Sequence, residues 1–89
     1  MPSTENVEMI TPSQSRAARA LIEWTQPRLA EASNLGLSTV VDFEKSRRQI
    51  SDDSARAIQA ALESAGVIFV AENGEGPGVR LRKQPALKR

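Results

Sequence analysis

The spacing of apolar residues changes once along the chain, from a helical period to a strand-like one. Through residues 12–65 apolar side chains recur three and four positions apart, which is typical of helices with one buried face. Thr11 and Pro12 are favourable cap and first-turn residues, and Gln14 stands where a capping box needs it. These features predict a first helix over residues 12–23.

Two short helices joined by a tight turn are predicted next. Thr25 is a good cap for the second helix, which the sequence around Asn34 interrupts. Asn tolerates the left-handed backbone conformation better than most residues, so Asn34 is expected to end that helix. A third helix is predicted over residues 37–45, with Val40 and Phe43 on its buried side.

A fourth helix and a β-hairpin complete the predicted fold. Ser51 is a helix cap and Gly66 a helix stop. Residues 67–71 form a β-branched apolar run, residues 72–78 are rich in turn formers, and residues 79–82 alternate apolar and basic side chains. The expected fold class is therefore mainly α, with four helices followed by a C-terminal hairpin.

Composition excludes several kinds of chemistry. The 89 residues include no cysteine and no histidine, so a thiolate nucleophile, a histidine base and a cysteine- or histidine-based metal site are ruled out. We expect no enzyme activity, no cofactor and no metal. No apolar run approaches the roughly 20 residues that span a bilayer, and no signal peptide is apparent. The expectation is a cytoplasmic protein that does not enter a membrane.

The net charge of +1 conceals an uneven distribution. Residues 1–44 carry three basic and six acidic side chains, whereas residues 45–89 carry nine basic and five acidic ones. A basic second half favours a polyanionic partner, although a solvated surface with a charged tail would also explain much of it.

Residues 24–47, WTQPRLAEASNLGLSTVVDFEKSR, resemble the DNA-binding core of Xre/Cro-type (lambda-repressor-like) regulators of bacteria and phages. The family pattern is W-[ST]-Q-x-x-L-A, a short turn, then S-x-x-T-[IV]-x-x-[FIW]-E-x-G-x-R. The matching positions are Gln26, Leu29, Ala30, Thr39, Val40, Phe43 and Glu44, and the arginine of the pattern falls at Arg48, next to Arg47. The resemblance covers about residues 10–66 and implies a helix-turn-helix whose third helix enters the major groove.

The chain departs from the family pattern at four points. Asn34 and Ser46 occupy positions that usually hold glycine, and Gly36 occupies the cap position of the recognition helix, where Ser or Thr is common. A predicted hairpin also replaces the usual fifth helix. Asn and Gly are tolerable replacements, while Ser46 predicts a strained or rearranged exit from the third helix.

The resemblance implies specific DNA contacts. Leu37 would meet a thymine methyl group, Ser38 would donate or accept a hydrogen bond, and Asp42 would accept from a cytosine amino group. These are weak base contacts, so DNA shape is expected to contribute. The remaining implied contacts are to the DNA phosphate backbone. They would be made by Thr39 near the helix cap, by Gln26 at a helix start, and by Arg47 and Arg48 in the loop after the third helix.

Structural explanations compete with several of these assignments. Gln26 could satisfy only a local helix end, and the two arginines could be solvated loop charges. Asp42 is the least secure base contact because phosphates repel a carboxylate. Glu44 is expected to form a structural ion pair or to brace a helix, and Trp24 is expected in the core.

Residues 67–71 are apolar on both faces of a strand, but a small domain can cover only one face of a hairpin. A second copy is the expected cover, which predicts a homodimer through the hairpin and the end of the fourth helix. The expected dimer contacts are Val67, Ile68, Phe69, Val70 and Leu81. The chain then divides into a flexible segment (1–9), a DNA-binding domain (10–66), a dimerisation hairpin (67–82) and a basic tail (83–89).

These expectations combine into a homodimeric, sequence-specific regulator of transcription that binds a pseudo-palindrome in double-stranded DNA, with its own promoter among the sites it could control. No sensor domain is apparent, so control would come from protein concentration or a regulatory protein partner. The alternative is a protein-interaction module, such as an antitoxin or antiactivator, built on a helix-turn-helix scaffold.

Overall fold

The computed structural model describes residues 9–83 of the chain. The predicted segments 1–8 and 84–89, a flexible start and most of a basic tail, lie outside the described residues. The elements in chain order are α1 (Pro12–Ile22), α2 (Gln26–Ser33), α3 (Leu37–Glu44), α4 (Asp52–Ser64), β1 (Val67–Val70) and β2 (Gly78–Leu81). Four helices followed by an antiparallel hairpin confirm the predicted fold class.

The helix starts follow the predicted caps. Thr11 and Gln14 form a reciprocal capping box at α1. The hydroxyls of Thr25 and Ser51 accept backbone hydrogen bonds at the first turns of α2 and α4. Gly36 begins α3 without a side-chain cap.

Three successive helices end at a left-handed residue that is not glycine. These residues are Glu23, Asn34 and Ser46, with φ of 60°, 62° and 57°. Beyond each one the next backbone amide returns to a carbonyl five residues earlier, as Arg47 does to Asp42 at 2.8 Å. Asn34 is the residue predicted for this role, and the strained exit predicted at Ser46 is confirmed.

The hairpin packs one face against the helices. Val67 pairs with Leu81 and Phe69 with Val79, while Ile68 and Val70 point to the opposite face. The buried core is formed by apolar residues of all four helices, of β1 and of the segment before α1, namely Ile10, Ala18, Leu29, Ala30, Val40, Phe43, Ile58, Leu62 and Val67. Phe69, Val79 and Trp24 are partly buried against it.

The side chain of Gln14 joins α1 to the hairpin. Its amide nitrogen donates to the carbonyl oxygens of Gly78 at 2.9 Å and Val70 at 3.3 Å, while its oxygen accepts from the Thr11 amide. One buried residue therefore completes a helix cap and two strand ends. Among residues 9–83 no helix has the length and apolar character needed to cross a membrane.

Candidate nucleic-acid interface

Helices α2 and α3 form a compact pair joined by residues 34–36. Leu29 on α2 and Val40 on α3 are fully buried, and Phe43 is nearly so. The Leu35 amide donates to the Ala30 carbonyl at 3.0 Å, which closes the turn. Because both helices are anchored in one core, the outer surface of α3 has a defined position on the domain.

The first turn of α3 is exposed. Leu37 retains 46% of its accessible surface, and Ser38 is also exposed. Thr39 is half-buried, with its amide bonded to the Gly36 carbonyl. Asp42 lies one turn beyond Ser38 on the same face. The structure thus brings Leu37, Ser38 and Asp42 to one outer surface.

Arg47 and Arg48 fold back over the end of that surface. The left-handed backbone at Ser46 reverses the chain after α3. Arg48 Nε then donates to Asp42 Oδ2 at 3.0 Å, and Arg47 Nη1 lies 3.7 Å from Asp42 Oδ1. Both arginine side chains remain more than half exposed, so they are accessible while already paired with one carboxylate.

Gln26 points towards the protein core. Its amide nitrogen donates to Glu44 Oε1 at 3.1 Å, which links the start of α2 to the end of α3. Gln26 therefore has a structural role at the start of α2. A phosphate contact would need its second amide hydrogen or the backbone amides of α2. Gln26 is not grouped with the side chains on the exposed surface of α3.

Glu44 is the centre of a buried polar cluster. Its carboxylate accepts from the Ser15 hydroxyl, the Gln26 amide and two guanidinium nitrogens of Arg19, the shorter of these at 2.8 Å. Arg16 also donates to its backbone oxygen. Burial acts to raise the pKa of the Glu44 carboxyl, but the hydrogen bonds from Arg19, Ser15 and Gln26 and the Arg19 charge together hold it below its ordinary value.

Sequence analysis missed the partners of Glu44 on α1. Ser15 and Arg19 are one helical turn apart, and Ser15 is fully buried. The sequence did contain a signal for this cluster. Ser15 is a small polar residue on the apolar face of the predicted first helix, and Arg19 follows it four positions later. Arg19 also donates to the Trp24 carbonyl at 3.0 Å, and Arg28 covers the Trp24 ring at 4.5 Å.

The expected dimer residues do not form one exposed surface. Val67 is fully buried in the core of its own chain, so its assignment to a dimer contact is wrong: period-two alternation directs it inward. Phe69 is partly buried on the same side. Ile68 and Val70 are half-exposed on the outer face, and Leu81 retains 43% of its surface.

Comparison with known proteins provides no assignment. No protein-family model matches the sequence, and no curated protein matches it at a significant level. Within residues 9–83 no three acidic side chains are grouped as a metal ion would need. Function must therefore be inferred from the surface of α3 and the residues around it.

Proposed function

We propose that this chain is a sequence-specific DNA-binding regulator of transcription that inserts α3 into the major groove. The observation that carries the proposal is the exposed first turn of α3 on a rigidly packed helix pair, with two exposed arginines at the other end of that helix. Eight residues give α3 a length of about 12 Å, comparable with the width of the major groove.

The roles of the side chains follow from their positions. Leu37 and Ser38 project from the N-terminal turn, the part of a recognition helix that approaches base edges. Arg47 and Arg48 lie where the flanking phosphates would pass and provide charge without sequence information. Gln26, together with Glu44, keeps the end of α3 against α2, which fixes the angle at which the helix is presented.

We propose further that the chain acts as a homodimer in the cytoplasm. Ile68, Val70 and Leu81 leave apolar surface on the hairpin, and a two-fold pair of chains would place two α3 helices about 34 Å apart on a pseudo-palindrome. Repression, activation and autoregulation are all compatible with such an arrangement.

Selection from random duplex DNA near physiological salt tests this function. We expect enrichment of a two-fold symmetric site. Ser38→Ala should change the preferred bases, whereas Arg47→Ala should weaken binding to all sequences and reduce the salt slope by about one unit. Enrichment of an asymmetric half-site would contradict the proposed dimer but support DNA binding. If no sequence is enriched, the proposed DNA-binding function is wrong.

A protein-interaction module is the second candidate. Two observations favour it. Arg47 and Arg48 are paired with Asp42, which gives this surface mixed charge, and Leu37 on the same helix is exposed. A stable complex with another protein that requires Leu37, in the absence of a footprint on DNA, would support this candidate over the first.

A further inference from the structure

Asp42 forms an ion pair with each of the two exposed arginines of the proposed DNA-binding surface. Its Oδ2 accepts from Arg48 Nε at 3.0 Å and its Oδ1 lies 3.7 Å from Arg47 Nη1. The two oxygens of one carboxylate thus contact two different guanidinium groups. A phosphate group would present the same arrangement of oxygens to the same two side chains.

The backbone holds this arrangement in place. Arg47 N donates to the Asp42 carbonyl at 2.8 Å, and Ser46 N donates to the Phe43 carbonyl at 3.0 Å. With Ser46 left-handed, these bonds return the chain over the last turn of α3. The proximity of the arginines to Asp42 therefore follows from the helix end as well as from charge attraction.

We propose that Asp42 is an internal competitor for DNA phosphate that lowers the affinity of this surface for non-specific DNA. This inference rests on the proposed DNA-binding function. Non-specific binding depends almost entirely on cation–phosphate contacts. Each arginine must leave Asp42 or share it before it binds a phosphate, and the uncompensated carboxylate then faces the polyanion.

Sequence-specific binding uses the same two arginines and is lowered by the same carboxylate. Contacts from Leu37 and Ser38 to base edges form only on the correct site and do not involve the two arginines. Because the phosphate contacts are common to all sequences, Asp42 lowers specific and non-specific affinity by a similar factor, and the base contacts then decide which sites are bound. Its role is that of a positioning residue that acts through the two arginines, in contrast to the cytosine contact that the family resemblance implied.

The test measures binding of the full chain to its selected duplex and to a random duplex at several salt concentrations. Asp42→Asn should raise affinity for random duplex about three- to tenfold, with a similar gain on the selected site. Its salt slope should become steeper by about one unit because one more cationic charge is available. Glu63→Gln is the matched control, since it removes one negative charge from α4, where the carboxylate accepts from Gln59.

A double-mutant cycle separates the ion pairs from net charge. Arg48→Ala should reduce affinity for random duplex more in the Asp42→Asn background than in the wild type, because only there is Arg48 free of its internal partner. Equal losses in both backgrounds, or an equal gain from Glu63→Gln, would overturn the inference. Loss of site-specific binding in Asp42→Asn without a gain on random duplex would also overturn it, in favour of a base contact. If the wild type binds neither duplex, the proposed function itself fails.

Discussion

Glu44 is a fully buried carboxylate at the end of α3 whose position depends on residues from two other helices. Ser15 and Arg19 approach it from α1, and Gln26 from the start of α2. A buried charge is tolerated only when its hydrogen-bonding capacity is satisfied, and all buried polar side-chain atoms within residues 9–83 have partners. The cluster therefore fixes α1, α2 and α3 relative to one another through polar contacts.

Replacing Glu44 with Gln should lower the free energy of unfolding at pH 7 by about 3 kcal/mol, because the mostly buried Arg19 loses its counterion. The pKa of Glu44 is lowered in the native state, so the stabilisation is present above the unfolded-state value of 4.5 and is lost as pH falls through the lower native value. The difference between wild type and variant should thus shrink in acid. Urea unfolding at pH 7 and pH 3 measures it.

The exposed Glu63→Gln variant is the control for this experiment and should remain within about 0.5 kcal/mol of the wild type at pH 7. A difference between wild type and Glu44→Gln that stays constant over the pH range would show that the cluster needs the shape of this side chain and not its charge.

At the scale of elements, the hairpin is held to the helices by one side chain in addition to apolar packing. Gln14 donates to the last carbonyl of β1 and the first carbonyl of β2. The residue is 7% exposed, so a lost donor at this position would leave buried carbonyl oxygens without their partner. The capping box at α1 and the closed end of the hairpin are therefore one structural unit.

Gln14→Glu separates the two roles of this side chain. Glutamate keeps the oxygen that accepts from Thr11 in the capping box but places a carboxylate beside two carbonyl oxygens. We expect a loss of about 1–3 kcal/mol at pH 7, with faster amide hydrogen exchange in β1 and β2 than in α1. Gln49→Glu, which adds the same charge to the exposed loop before α4, should leave both strands protected. Uniform loss of protection in Gln14→Glu would assign the effect to the cap instead.

Local chemistry accounts for the elements that could be predicted from sequence. Helix starts could be predicted at Thr11, Thr25 and Ser51. The side-chain oxygen of a cap residue accepts from the backbone amide three residues later, so the interaction depends only on neighbouring sequence. The ends of α1 and α3 were harder to place, since Glu23 and Ser46 adopt a left-handed backbone that neither residue type favours. The glycine that the family pattern places at position 46 indicated such a backbone at Ser46, whereas nothing in the sequence indicated it at Glu23.

The candidate site was predictable to a similar extent. The exposure of Leu37 and Ser38 follows from their place at the start of a short helix whose buried side is set by Val40 and Phe43. The partners of Asp42 and Gln26 were not predicted, because ion pairs and side-chain hydrogen bonds depend on how the chain turns at Ser46 and how α1 crosses α3. Those geometries depend on the whole fold, so no fixed spacing of residues along the sequence predicts them.

At the scale of the whole molecule, the hairpin carries the surface on which the proposed dimer, and with it the pairing of two α3 helices on DNA, would depend. Its inner face, with Val67 and Phe69, belongs to the core, so a substitution there would test folding as well as association. The outer face presents Ile68 and Val70, with Arg80 opposite Ile68 in the register. A test of the dimer therefore belongs on the outer face.

Ile68→Lys should convert the proposed dimer to a monomer, because a charged side chain would be desolvated and would repel its two-fold mate across an isologous interface. Sedimentation equilibrium at micromolar concentration measures the change in mass, and circular dichroism should show an unchanged fold because Ile68 is half-exposed. Ala60→Lys, which adds the same charge to the exposed face of α4, should leave the dimer intact.

The same variant also tests how the proposed dimer contributes to the proposed DNA binding. Ile68→Lys should bind a symmetric site with the affinity of a single half-site, because the second α3 no longer benefits from the effective concentration that the dimer provides. If the variant is monomeric yet binds the symmetric site as tightly as the wild type, the two helices act independently. If both proteins sediment as dimers, contact between copies lies elsewhere, with the exposed Leu81 edge of β2 the next surface to alter.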